Sequence, residues 1–333
     1  MTRAALERHI QALWYGGSRL YLLLLPLAWL YCALGLLRRA AYRIGLRPRA
    51  ALACKVVVVG NLVAGGSGKT PLVIALARAL QGRGLRVGIV CRGYRGRAGH
   101  WPLSVTADSD PDEAGDEAVL LAEKTGLPVV AGPQRVAAAR ALLSETPCDV
   151  LLCDDGLQHY ALRRDLEIAV VDAERGYGNG ACLPAGPLRE PLRRLRRVDA
   201  VVALGGAYPG ATTVMQYAGG DACKLQDPEQ RYALDAFAGQ NVHAVAGIGY
   251  PQRFFRQLLD AGIPVTAHAF DDHHRYTPAD LAFADRRPVL MTEKDAVKCR
   301  PFSKPDWWVV PVEARLDPAF EDWLVRAVSP LEH

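Results

Sequence analysis

Four glycines, Gly60, Gly65, Gly66 and Gly68, stand immediately before a Lys69-Thr70 pair. A β-branched run, 56–59, precedes them and an apolar helical pattern follows to residue 80. Glycines let backbone N–H groups curl around a polyphosphate, and the start of a helix adds a positive dipole. A lysine there places charge beside a transferable phosphate, and a neighbouring hydroxyl can ligate Mg²⁺. Val63, Ala64, Gly65, Gly66, Ser67, Gly68, Lys69 and Thr70 are therefore the candidate nucleotide cradle, with Thr70 also a metal ligand. Val63 occupies the place where the strict G-x-x-x-x-G-K-[ST] pattern has glycine, so the Gly65-Gly66 pair is expected to supply the turn.

A second group lies about eighty residues on, where the apolar run 149–153 ends in Asp154 and Asp155. A strand ending in carboxylates beside a phosphate loop is suited to holding Mg²⁺, directly or through water. The competing reading is a solvated strand-terminal turn. Gly115-Asp116-Glu117 opens a helix, where acids commonly serve as caps. The segment 270–276, FDDHHRY, offers His273 and His274. The loop 92–95, RGYR, ends a strand at the same sheet edge, although Arg95 and Arg97 read as an ordinary basic turn. Five arginines in 189–197 suit an anionic substrate, lipid headgroups or a solvated face.

The elements that must position these groups follow from period and punctuation. Short apolar runs predict strands at 56–59, 86–91, 128–131, 149–153, 166–171 and 200–204, with helices over 69–80, 117–124 and 136–143 between them. That alternation predicts an α/β fold, a mainly parallel P-loop NTPase-like sheet flanked by helices. Strands at 242–246, 265–270 and 289–291, with helices over 254–259 and from Pro278, predict a smaller second α/β domain. The expected partition is an anchor region at 1–47, a nucleotide domain at 48–210, a β linker at 211–236, the smaller domain at 237–330 and a tag remnant at 331–333. Residues 292–295 follow a strand, a place where such proteins often read the nucleotide base.

The chain's 333 residues allow two domains with ample core. Half of them are hydrophobic, which excludes a disordered chain. A net charge of +5 is too mild to imply nucleic acid, and none is expected as a partner. Eight cysteines without a CxxC pair read as buried thiols in a reducing compartment. Residues 20–37 carry no charge, and arginines stand on both sides. Such a stretch is at the short limit for a membrane span, so it reads as an anchor lying in the interface or dipping into one leaflet. A buried core helix is the competing reading.

Taken in order, GNLVAGGSGKTP, RGYR, GDE, DDGLQH, LPAGPLRE, AGIGYP, FDDHHRY and TEKDAVK resemble the tetraacyldisaccharide 4′-kinase family of lipid A biosynthesis over nearly the whole chain. Tyr250 stands where that resemblance leads one to expect asparagine. The resemblance implies ATP and Mg²⁺ as cofactors and a lipid disaccharide 1-phosphate as acceptor. It implies work at the cytoplasmic face of the inner membrane, with no obligate protein partner evident. It places acid–base catalysis on Asp116 with a histidine, His273 first and His274 as fallback. Asp154 and Asp155 are then metal ligands, Arg135 an acceptor contact, and Gln158, His159 and Glu190 complete the metal or acceptor site. With His273 and the phosphate loop in different domains, catalysis should require domain closure. The rivals are a membrane-surface switch ATPase of the ParA/MinD type, which carries a lysine where this chain has Ala64, and a P-loop GTPase or metal-insertion chaperone.

Overall fold

The computed structural model describes residues 3–65 and 68–329, with side chains from residue 9 onward. Gly66, Ser67 and the expected tag remnant at 331–333 therefore lie outside the described residues. Two sheets form the frame. The first comprises β1 (Lys55–Gly60), β2 (Val87–Cys91), β3 (Leu103–Val105), β4 (Val129–Ala131), β5 (Val150–Cys153), β6 (Leu166–Asp172), β7 (Ala200–Leu204) and β8 (Thr213–Gly219). The second holds β9 (Ala222–Lys224), β10 (Arg231–Tyr232), β11 (Val242–Ala246), β12 (Val265–Ala269), β13 (Val289–Thr292) and β14 (Trp307–Val310). One last strand, β15 (Val312–Arg315), returns to the first sheet.

The nine-stranded order is β15-β8-β7-β6-β1-β5-β2-β4-β3, parallel throughout except for the antiparallel edges β3 and β15. Central β1 is buried on both faces, which is why its sequence is a continuous β-branched run rather than an alternation. Val57 and Val59 join one core and Val56 and Val58 the other. The helices flanking the sheet start with α1 (Arg3–Tyr15), α2 (Leu25–Arg43), α3 (Lys69–Gln81), α4 (Pro111–Ala114), α5 (Asp116–Thr125) and α6 (Arg135–Glu145). The smaller unit adds α7 (Pro251–Asp260) and α8 (Glu293–Cys299), and α9 (Pro318–Val328) ends the described chain.

The segment 211–236 differs from the β linker expected of it. β8 is a full strand of the first sheet, parallel to β7, while β9 belongs to the second sheet. The chain then crosses back after β14, so β15 pairs with β8, and α9 sets Phe320, Leu324 and Val328 into the core beneath α3. Residues 312–329 thus belong to the nucleotide unit, and two strands of chain cross between the units side by side. A Cβ on Gly220 would lie 2.8 Å from Pro311 Cγ. The helix expected from Pro278 is a turn instead. The Thr277 hydroxyl and N–H both bond Asp280 as a helix cap would, but Phe283 is already committed to stacking on His243 and His268.

Residues 19–43 form a six-residue 3₁₀ turn followed by α2, and together they are long and apolar enough to cross a membrane. A core helix would be buried, yet Ala28 is the one buried residue described in α2. Leu23, Leu27, Trp29, Leu30, Leu34 and Leu37 all face outward. α1 is pinned to the body: Trp14 Nε1 donates to the Pro184 carbonyl at 3.1 Å, and Asn179 N–H donates to the Trp14 carbonyl at 2.9 Å.

Candidate active site

The phosphate loop is stitched to residues 187–189. Ala64 N–H donates to the Pro187 carbonyl, Arg189 N–H to the Leu62 carbonyl, and Val63 bridges Leu188. Val63 is 6% exposed, so the position that breaks the strict glycine pattern is a packing residue of this seam. Gly68, at φ +79°, caps α3; a Cβ there would come within 2.5 Å of Leu204. No side chain except hydrogen suits that position. Lys69 and Thr70 open α3, directly beneath a cavity of about 200 Å³ between the units. Its walls include Thr70, Leu120, Tyr217, Tyr250 and Phe254.

Asp154 and Asp155 end β5 beside this loop, as expected, but they do different things. Asp154 is 2% exposed, and its Oδ1 has no hydrogen-bond partner. Burial, with the Glu117 charge adding, pushes its carboxyl up to about 7 against the pull of Lys69. An orphaned buried carboxyl oxygen at the end of β5, within reach of the Lys69 charge, fits a cation such as Mg²⁺. Among the described residues there is no cluster of three His, Cys, Asp or Glu arranged to hold a metal. Asp155 is committed elsewhere, to both Nη1 contacts of Arg189 (3.0 and 3.1 Å) and to Lys69 at 3.7 Å. Despite its burial, those cations hold its carboxyl far below the usual range.

Asp116 is the first residue of α5 and is 5% exposed. It meets His273 across the two units, with Nδ1 at 2.9 and 3.0 Å from its two oxygens. Burial raises the Asp116 pKa, but the His273 hydrogen bond and the Lys294 and Lys298 charges outweigh it and bring the carboxyl down to about 2. An ionised carboxylate only accepts, so the Nδ1 proton sits between them and Nε2 is left on the far side of the ring. Lys294 Nζ lies 3.3 Å from that Nε2 and also bonds Glu117 at 3.1 Å and Asp272 at 3.0 Å. Although burial opposes it, these acids hold the lysine firmly protonated. His274 points to other work: it packs on Phe270 and Tyr276, with Nε2 3.4 Å from Asp280.

The RGYR loop is no ordinary surface turn. Arg95 Nη1 donates to the Asp272 carbonyl at 2.8 Å and the His273 carbonyl at 3.3 Å. The Tyr94 ring lies 4.8 Å from the His273 ring. His273 itself sits at φ +62°, a left-handed conformation that costs a non-glycine residue and persists only when neighbours enforce it. Gly115, at φ +91°, admits this loop: a Cβ there would be 2.8 Å from the Tyr94 carbonyl.

Other expected site residues fall in supporting positions. Arg135 is 2% exposed and spends its guanidinium on the Gly132 and Asp154 carbonyls, so it braces the end of β5 rather than reaching an acceptor. Gln158 donates to the Asn61 carbonyl and, through its own carbonyl, receives Arg38. Burial and the Arg135 charge lower the His159 pKa to about 4, leaving a neutral imidazole beside Asp155. Glu190 accepts from Tyr160 at 2.6 Å and lies 3.4 Å from Arg194, in a seam lined by Tyr31 and Arg39 of α2. Thr292 and Asp295 close the N-terminus of α8, where Asp295 also accepts from Gly247 N–H and Lys298. Thr292, Glu293 and Lys294 line the smaller cavity, and Lys294 also joins the Asp116 cluster. Sequence reasoning read Arg95 as a surface turn and placed Arg189 and Lys294 only within broader segments, whereas the structure ties Arg189 to Asp155, Arg95 to the 272–273 carbonyls and Lys294 to the Asp116 cluster.

A second cavity, of about 1040 Å³, opens from Ala64 and Gly65 past Asp271 and Asp272 to Trp14 and Tyr15 of α1. The smaller opening therefore reaches the start of α3 from the side of Tyr217 and Phe254, and the larger one reaches the phosphate loop from the side of α1. Arg253–Asp172 and Arg256–Glu174 ion pairs, at 2.6 and 2.7 Å, tie the units together between the two cavities.

The family description "Tetraacyldisaccharide-1-P 4′-kinase" matches residues 20–329. The chain is 49% identical to the tetraacyldisaccharide 4′-kinase of Methylobacillus flagellatus over 326 residues, covering 98% of this chain and 97% of that protein. It is 50% identical to that of Nitrosococcus oceani over 307 residues, covering 92% and 90%. The crystal structure of LpxK from Aquifex aeolicus in complex with ATP is 29% identical, with a TM-score of 0.77, and covers 93% of this chain and all of that one. The chain belongs to the tetraacyldisaccharide 4′-kinase family.

Proposed function

We propose a division of labour for the kinase reaction, in which the γ-phosphate of ATP passes to the 4′-hydroxyl of a tetraacyldisaccharide 1-phosphate in lipid A biosynthesis. The smaller cavity takes the nucleoside, and the larger takes the acceptor headgroup. Lys69 and the loop N–H groups hold the β- and γ-phosphates. Thr70 and Asp154 would hold Mg²⁺, which when bound supplies charge neutralisation at the phosphates. Asp155 keeps Lys69 and Arg189 aimed at the same point.

A sugar alcohol is a weak nucleophile at neutral pH, so its proton must leave as the phosphoryl group arrives. The Asp116–His273 pair receives it as one unit. Asp116 fixes the imidazole tautomer, and Lys294 sets the charge around both. The observation that carries this reading is the 2.9 Å contact between Asp116 and His273, made between a residue of the nucleotide unit and one of the smaller unit. Closure keeps water from the γ-phosphate and so limits ATP hydrolysis. The outward apolar face of residues 19–43, with arginines at its end, supports attachment to the cytoplasmic face of the inner membrane.

The test is transfer of label from γ-labelled ATP to tetraacyldisaccharide 1-phosphate, with the product's new phosphate located by NMR. Label on the 4′ position supports the reading; ATP turnover indifferent to the acceptor overturns it in favour of a switch ATPase. For the membrane, Leu27→Glu with Leu34→Glu should abolish flotation with anionic vesicles while sparing activity in detergent, and unchanged flotation would refute the attachment.

A further inference from the structure

The larger cavity holds one guanidinium whose charge is not answered by any carboxylate among the described residues. Arg175 lies just beyond β6, in the cavity wall. Its Nη2 donates to Gln11 Oε1 at 2.6 Å. Its Cζ sits 4.2 Å from the centroid of the Tyr15 ring and 5.3 Å from that of Tyr250. The neighbouring arginines are different. Arg253 is paired with Asp172, Arg256 with Glu174 and Arg189 with Asp155. Arg95, the other cation in this wall, is spent on two backbone carbonyls.

A guanidinium presents five N–H donors in a rigid fork, and Gln11 takes one. The Tyr15 and Tyr250 faces hold the plane without satisfying the remaining donors. A half-buried cation held in this way is costly alone and becomes favourable when an anion with several oxygens docks against it. The γ-phosphate belongs to the phosphate loop, whose Ala64 and Gly65 lie at the other end of the cavity. The acceptor named by the family carries its own phosphate at position 1, on the sugar opposite the one that bears the 4′-hydroxyl. A headgroup with its 4′-hydroxyl at Asp116 and His273 would therefore extend along the cavity towards α1.

We infer that Arg175, braced by Gln11, Tyr15 and Tyr250, is the subsite that reads the 1-phosphate of the acceptor. This rests on the acceptor assignment made above. It also gives α1 a role in substrate selection, because both Gln11 and Tyr15 come from that helix. Tyr250, at the place where asparagine was expected, supplies the second face of the clamp.

The experiment compares two acceptors, the tetraacyldisaccharide 1-phosphate and the same disaccharide with a free 1-hydroxyl, on the full-length enzyme in detergent. For Arg175→Gln, KM for the 1-phosphate should rise about tenfold or more, KM for the 1-hydroxyl acceptor should change less than about twofold, and KM for ATP should hold. Arg175→Lys should recover part of the loss, because a point charge lacks the fork. Equal shifts with both acceptors, or none, overturn the subsite while leaving the kinase reading intact. If Arg175→Gln fails to fold, the lysine variant carries the same comparison. A wild-type enzyme that phosphorylates neither acceptor removes the kinase reading and the subsite with it.

Discussion

The phosphate loop and the Asp116–His273 cluster face each other across one cleft, yet they are built in opposite ways. The loop is local. Its strand, turn, lysine and helix lie within residues 55–81, and its seam to 187–189 adds only support. The cluster is assembled from α5, the RGYR loop, the strained 271–273 turn and α8, with partners as far as 178 residues apart. Nucleotide binding should therefore survive damage that ruins the acceptor side, whereas the acceptor side should fail whenever the two units cannot close.

The sharpest break is Lys69→Ala. It removes the charge at the transferred phosphate and should lower turnover about a thousandfold or more, measured as label transferred to lipid. Normal turnover would remove the loop from the mechanism. Next come Asp116→Asn and His273→Ala, each expected to cost about a hundred- to ten-thousandfold in kcat with KM for ATP little changed. Because the two act as a unit, the double variant should be scarcely worse than either single one. Additive losses would mean that they act separately.

Arg95→Ala should cost less, about tenfold in kcat, because Asp116 still draws His273 while its backbone clamp is lost. Tighter coupling would appear as a matching loss in domain closure by small-angle scattering, and an unchanged kcat would return Arg95 to the surface role its sequence suggests. The smallest effect is on acid stability. The Asp116 pKa is about 2 in the folded protein, below its usual value of 3.8. The stabilisation is therefore present above about pH 4 and is lost as pH falls from there through about 2, worth about 2 kcal/mol. Asp116→Asn should flatten that part of the unfolding curve, and an unchanged acid limb would contradict the pairing.

The same contrast decides what could be read from the sequence. β1, α3 and the aspartates ending β5 were legible because pattern and spacing are local signals. The resemblance carried Asp116 and His273, but nothing local distinguishes Arg95 from a surface turn, because its acceptors are backbone carbonyls of another unit. Glu190 and Arg135 were named for chemistry, yet burial beside Tyr160 and against backbone carbonyls gave them bracing roles. The return of β15 and α9 to the first sheet was hidden for a related reason. A four-residue edge strand with alternating exposure carries little signal, and its partner β8 precedes it by nearly a hundred residues.

The central claim is that phosphate leaves ATP only when Asp116 and His273 meet over the phosphate loop. Single-turnover transfer from prebound labelled ATP to the lipid acceptor tests it most directly, comparing wild type with Asp116→Asn. Nucleotide binding should be equal in the two proteins, while the transfer rate in the variant should fall by about a hundredfold or more. Equal transfer rates would contradict the account.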